Sequence, residues 1–95
     1  KLLHLAAVFA CNFPNFLYVI SEQILGENGL DFDILLPLIK RTTSKITQNS
    51  PAEVQTGPAA RKDMETINKH LELLKNRPEY REIYKLISDQ LTGIS

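Results

Sequence analysis

The chain has 95 residues, room for one domain with one hydrophobic core. Eleven basic side chains balance eleven acidic ones, and this zero net charge provides no long-range field to draw nucleic acid or anionic lipid. A single cysteine excludes an internal disulfide and makes the cytoplasm the expected compartment.

The first stretch dominates the rest. Between Leu2 and Ser21 no side chain carries a fixed charge, and the clearly polar groups are His4, Asn12 and Asn15. This predicts a helix running to about Asn28 and buried on nearly all sides. At about 100° per residue, His4, Cys11, Asn15, Tyr18 and Glu22 fall within a strip roughly 60° wide, with Phe9, Phe13, Leu17, Ile20 and Ile24 opposite. Either the helix is core and its polar groups find local partners, or the strip lines a site or a subunit interface. The length reaches the roughly 20 residues of a membrane span. His4, two Asn beside Pro14, and Glu22 and Glu27 where Lys or Arg would anchor the far end all argue against one, so no membrane is expected. Pro14 lacks the N–H that would serve the Ala10 carbonyl, which predicts a kink.

Gly29 suits the left-handed position just past the helix end, with Leu30 folding back on the last turn. Asp31 is a natural N-cap for a second helix that begins irregularly around Pro37, carries Phe32, Leu35, Leu36, Ile39 and Thr43 inward, and extends to about Gln48. The basic residues near its end, Lys40, Arg41 and Lys45, complement the helix dipole, and no aromatic residues interleave with them as a nucleic-acid surface would require. Asn49 to Lys62 holds the breakers Asn49-Ser50-Pro51 and Gly57-Pro58, with one helical turn at Ala52 to Gln55. At its end, Thr56-Gly57-Pro58-Ala59-Ala60-Arg61-Lys62-Asp63 places two cations beside free backbone donors, an arrangement suited to a phosphate or carboxylate. An ordinary loop ending in an Asp63 N-cap accounts for it equally well. A third helix follows with Met64, Ile67, Leu71 and Leu74 inward and His70 at the boundary. Pro78 opens the fourth, whose stripe of Tyr80, Ile83, Tyr84, Ile87 and Leu91 leads to a fraying end at Gly93-Ile94-Ser95.

The expected fold is all-α, a helical bundle of about four main helices around a long apolar first helix. Three short amphipathic helices cover about half of such a rod, so a second copy of the chain or an upstream segment has to cover the remainder, and a homodimer through the first helix is expected. Lys1 already lies inside the helical periodicity and opens no initiator or leader pattern, which suggests the C-terminal part of a longer protein. No Gly-rich phosphate loop, nucleophile elbow, H-E-x-x-H or Cys/His metal spacing occurs, and Cys11 and His4 stand too far apart for a thiolate and base pair. No metal is expected, and the chain alone is not expected to catalyse a reaction.

The run His4-Leu5-Ala6-Ala7-Val8-Phe9-Ala10-Cys11-Asn12-Phe13, followed some forty residues later by Thr56-Gly57-Pro58-Ala59-Ala60-Arg61-Lys62-Asp63, resembles the C-terminal helical domain, a domain of unknown function, of a bacterial family of NAD(P)-dependent oxidoreductases. Members join it to an N-terminal Rossmann-like domain, in a layout similar to pyrroline-5-carboxylate reductase and the 6-phosphogluconate dehydrogenase-like enzymes. The resemblance implies a C-terminal domain over residues 1–95, with NAD or NADP bound by the Rossmann domain missing from this chain and no cofactor held here. It also implies that the helical part supplies dimer contacts and one wall of the substrate cleft. His4, Asn12 and Asn15 are then candidates for substrate contacts, as are Thr56, Gly57 and Arg61, with Arg61 the group best able to hold an acidic substrate. The match departs at Lys62, where the family pattern usually has Gly. The Lys that hydroxyacid dehydrogenase relatives place four residues before an Asn has no counterpart, since that position before Asn12 is Val8.

Two other readings remain open at this level. One is a helical adaptor that takes a partner helix in its apolar groove and has no redox role. The other is an anion-sensing regulatory domain built on Arg61 and Lys62.

Overall fold

Helices make up every regular element among residues 1–93, the residues that the computed structural model describes. The all-α expectation holds, and so does the long first helix followed by three shorter ones. The chain divides into two compact units, Lys1–Arg41 and Thr42–Ser95.

In the first unit the opening helix is continuous but not uniform. It comprises α1 (Leu2–Ala7), a π-helical turn (Val8–Asn12) and α2 (Phe13–Glu27). The Phe13 N–H donates to the Val8 carbonyl, five residues back instead of four. The expected disturbance at Pro14 therefore takes the form of a widened turn just before it, a common way for a helix to absorb a missing donor. The helix ends as its sequence predicts. Gly29 takes a φ of +72°, its N–H bonds the Gly26 carbonyl at 3.2 Å, and the Leu30 N–H reaches back to Leu25 at 2.9 Å. This reciprocal pair is the Schellman closure, open to Gly29 because it has no Cβ to strain the left-handed backbone. The Asp31 carboxylate then accepts from the Asp33 N–H at 2.8 Å and starts a 3₁₀ turn (Phe32–Leu35) that passes into α3 (Leu36–Lys45). Tyr18 and Phe32, with ring centroids 6.4 Å apart, join this turn to α2.

The expectation of near-complete burial for the first helix is not met within its own unit. No residue from Leu2 to Glu27 is buried, and Leu2, Leu3 and Phe9 are 80%, 84% and 64% exposed. By length and composition this 26-residue helix is also long and apolar enough to cross a membrane. A unit of about forty residues has too few side chains to wrap a helix that spans it end to end.

In the second unit α3 ends in successive tight turns through Gln48, and Ser50 and Glu53 close a reciprocal capping box over a 3₁₀ turn (Pro51–Val54). Asp63 caps α4 (Met64–Leu73), accepting from the Thr66 N–H at 3.1 Å and the Thr66 hydroxyl at 2.7 Å. Pro78 opens α5 (Pro78–Leu91), where its missing N–H costs nothing. The buried apolar residues are Ala59 and Ile67, 2% and 5% exposed, with Leu71, Leu74, Ile83, Tyr84 and Leu91 half-buried. Met64 and Ile87, expected inward, are 53% and 40% exposed. Of the expected fraying end, Ile94 and Ser95 lie outside the described residues.

Candidate functional site

The two groups of candidate residues lie in different units: His4, Asn12 and Asn15 in the first, Thr56, Gly57 and Arg61 in the second. Along the first helix the structure changes the face arithmetic. A turn closed five residues back holds one residue more than an α turn, so the segment before it is rotated by roughly 100° against the segment after it. His4 therefore leaves the strip that carries Asn15, Tyr18 and Glu22, and Leu3 takes its place. The uniform strip expected from an ideal helix is two half-strips offset at the π turn. Asn12 sits at that offset, exposed and making no side-chain capping bond, and Asn15 is exposed one residue beyond Pro14.

In the second unit Thr56, Gly57 and Arg61 do come together, lining with Gln55 and Ala60 a shallow hollow of about 290 Å³. The backbone donors are not free, however. The Arg61, Lys62 and Asp63 N–H groups bond the Gly57, Ala59 and Pro58 carbonyls at 3.4, 3.1 and 2.8 Å. The loop curls on itself and spends those donors internally, so the anion nest expected there does not form from them. The Arg61 guanidinium lies 3.4 Å from the Asp63 carboxylate. Asp63 is held below the ordinary carboxylate range mainly by the Thr66 hydroxyl and N–H, with a smaller contribution from Arg61.

Lys62 adopts a φ of +57°, the left-handed region, the one non-glycine among the described residues with a positive φ. A Gly expected at this position thus answers a backbone requirement, and Lys62 meets the same turn at a steric cost.

Sequence reasoning left His70 as a boundary residue and did not anticipate its partner. The His70 ring Nδ1 and the Tyr84 hydroxyl are 2.7 Å apart, with the rings edge to face at 5.6 Å. Burial pushes the Tyr84 phenol above its ordinary value. The available signal was that His70 borders the inward stripe of one helix while Tyr84 belongs to the inward stripe of the next, across a short turn. The pair fastens α4 to α5. Among the described residues no three His, Cys, Asp or Glu side chains gather as a metal site.

These features define an all-α helical domain with a long, exposed, apolar first helix interrupted once by a polar notch. The chain belongs to the DUF2520 family, a domain of unknown function, which it matches over residues 1–91. Among solved structures it is similar to the crystal structure of a putative NADP oxidoreductase from Bacteroides fragilis, at 42% identity and a TM-score of 0.95. That similarity covers 97% of this chain and 36% of the other, so the chain spans about a third of that protein's length. No curated protein matches the chain.

Proposed function

We propose that this chain is the dimerisation and substrate-side domain of a cytoplasmic NADP oxidoreductase whose nucleotide is held by an upstream Rossmann domain. The observation that carries the reading is the near-complete structural likeness, at 42% identity, to one part of a protein described as a putative NADP oxidoreductase. The uncovered first helix supports a second copy as its cover. It bears ten of the exposed large apolar side chains, from Leu2 to Ile24. Their exposed area is on the order of 900 Å² and is spread around the helix, so a partner along one face covers part of it. Asn12 and Asn15 on the first helix, and Thr56, Gly57 and Arg61 on the loop, are the substrate-side groups. His4, rotated away from Asn15, lies on a different face of the helix. In this reading the domain binds and orients, and the redox chemistry belongs to the nucleotide.

The test is titration of the full-length protein with NADPH and NADH, alongside sedimentation. Submicromolar to micromolar binding of either nucleotide by a dimer is the expected result, and absence of binding to both refutes the redox role. A helical adaptor, the other class that an uncovered apolar face suits, would bind a partner helix and no dinucleotide. Recovery of the protein from membranes only with detergent would instead assign the first helix to a bilayer.

A further inference from the structure

The π turn and Pro14 together change the hydrogen-bond count of the first helix at one level. The Val8 carbonyl takes the Phe13 N–H, and α2, starting at Phe13, uses the Asn12 carbonyl for its first bond. Three carbonyls lie between them, those of Phe9, Ala10 and Cys11. Of the residues whose N–H could reach them, Pro14 has none, which leaves Asn15 as the one backbone donor. Two main-chain acceptors are therefore left without a ladder partner, midway along an otherwise apolar helix. Beside them stand the Asn12 and Asn15 carboxamides, both exposed, each able to donate and accept. No side chain with a fixed charge occurs from Leu2 to Ser21.

We infer that this notch, the Phe9 to Cys11 carbonyls flanked by Asn12 and Asn15, binds a neutral primary carboxamide. The chemistry selects it. Unpaired carbonyls call for an N–H donor, and the adjacent Asn side chains can return a hydrogen bond to an acceptor in the same group. A free cation would be left without a counter-charge, and a carboxylate would face the carbonyl oxygens. A carboxamide presents two N–H donors and one carbonyl in one plane, which fits both halves of the notch. The inference rests on the redox reading above, in which the available carboxamide is that of the nicotinamide ring. The notch then fixes the ring's orientation from the side opposite its nucleotide-binding domain.

The test uses the full-length protein with NADPH and with the reduced 3-acetylpyridine analogue, in which a methyl group replaces the amide nitrogen and only the acceptor remains. The wild type is expected to bind the analogue about tenfold more weakly, because the notch carbonyls lose their donor. Pro14→Ala, which restores the missing N–H, should abolish that discrimination. Asn12→Leu should weaken both ligands alike and keep it. Far-UV circular dichroism verifies that each variant is folded, and should Pro14→Ala unfold, the wild-type and Asn12→Leu comparison carries the test. Equal affinity of the wild type for both dinucleotides overturns the notch while leaving the redox reading standing. Failure to bind either one removes the redox reading, and the nicotinamide assignment with it.

Discussion

Replacing Lys62 by Gly should stabilise the protein, and the reason is entirely in the backbone. At a φ of +57° the Lys62 Cβ crowds its own carbonyl oxygen, a strain of about 1–2 kcal/mol for an L-residue. The turn is nonetheless held in place, because the Lys62 N–H bonds the Ala59 carbonyl at 3.1 Å and the Met64 N–H bonds the Lys62 carbonyl at 3.1 Å. Glycine removes the strain and keeps both bonds, but gives the unfolded chain more freedom, at about 0.5–1 kcal/mol. The difference is a net gain of about 0.5–1 kcal/mol, or roughly 3–6 °C in the melting temperature of a domain this small. Thermal unfolding followed by circular dichroism reads it, with Lys62→Ala as control, since alanine keeps the Cβ and loses the charge. Lys62→Ala should melt with the wild type and Lys62→Gly above both. If the two variants melt together, the left-handed strain is not what limits this turn.

Four further outcomes follow from the same geometry. Ile67→Ala, at the most buried large side chain, should cost about 2–3 kcal/mol in urea unfolding, the low end for such a change because so shallow a core can partly collapse onto the gap. Tyr84→Phe removes the hydroxyl from the His70 ring and should cost about 1 kcal/mol by the same measurement, with α4 and α5 still helical. Asp63 has a folded pKa below its ordinary 3.8, so its capping contribution is whole above that pH and fades as pH falls through the lower folded value. The stability gap between wild type and Asp63→Ala should accordingly be constant from pH 5 to 7 and narrow below pH 4. If the proposed dimer forms through this helix, Phe9→Glu, which places a charge on the edge-to-face Phe9–Phe13 pair, should yield a monomer in sedimentation without loss of helix content, whereas a variant still dimeric would move the interface off this face.

Local chemistry was legible in the sequence wherever it is governed by a few neighbouring residues. The Gly29 closure, the Asp31 and Asp63 caps, the irregular entry before α3 and the Pro78 start each depend on one side chain meeting backbone within four residues, and each appears as read. The errors arose where one residue alters the register of many. At Pro14 the sequence predicts a disturbance but not its form, a π turn that rotates everything before Val8 and separates His4 from Asn15. The Thr56 to Asp63 loop was read as donor-rich because its residue types are. Whether those donors face outward depends on the φ values of Gly57 and Lys62, +103° and +57°, and composition does not specify them. His70 and Tyr84 meet across a helical hairpin fourteen residues apart, beyond the reach of single-helix periodicity.

The first helix poses a tension that its own sequence helps to resolve. An apolar helix meant only for packing gains from an unbroken ladder, since every carbonyl covered by a greasy neighbour without a donor costs roughly 1–3 kcal/mol. Pro14 removes one donor and the π turn adds one residue, so the helix carries its polar defect at mid-length, among its most apolar residues. A second copy laid along the whole rod would bury that defect unless it brought donors of its own. The arrangement makes sense when the cover is divided: apolar surface against Leu2, Leu5, Phe9 and Phe13, and something hydrogen-bonding at Asn12 and Asn15. A helix built to pack along its flanks and to leave one level open for a polar visitor needs both the grease and the proline, and loss of either should affect a different property. Apolar-to-charged changes on the flanks should alter assembly, and changes at Pro14 should alter ligand discrimination.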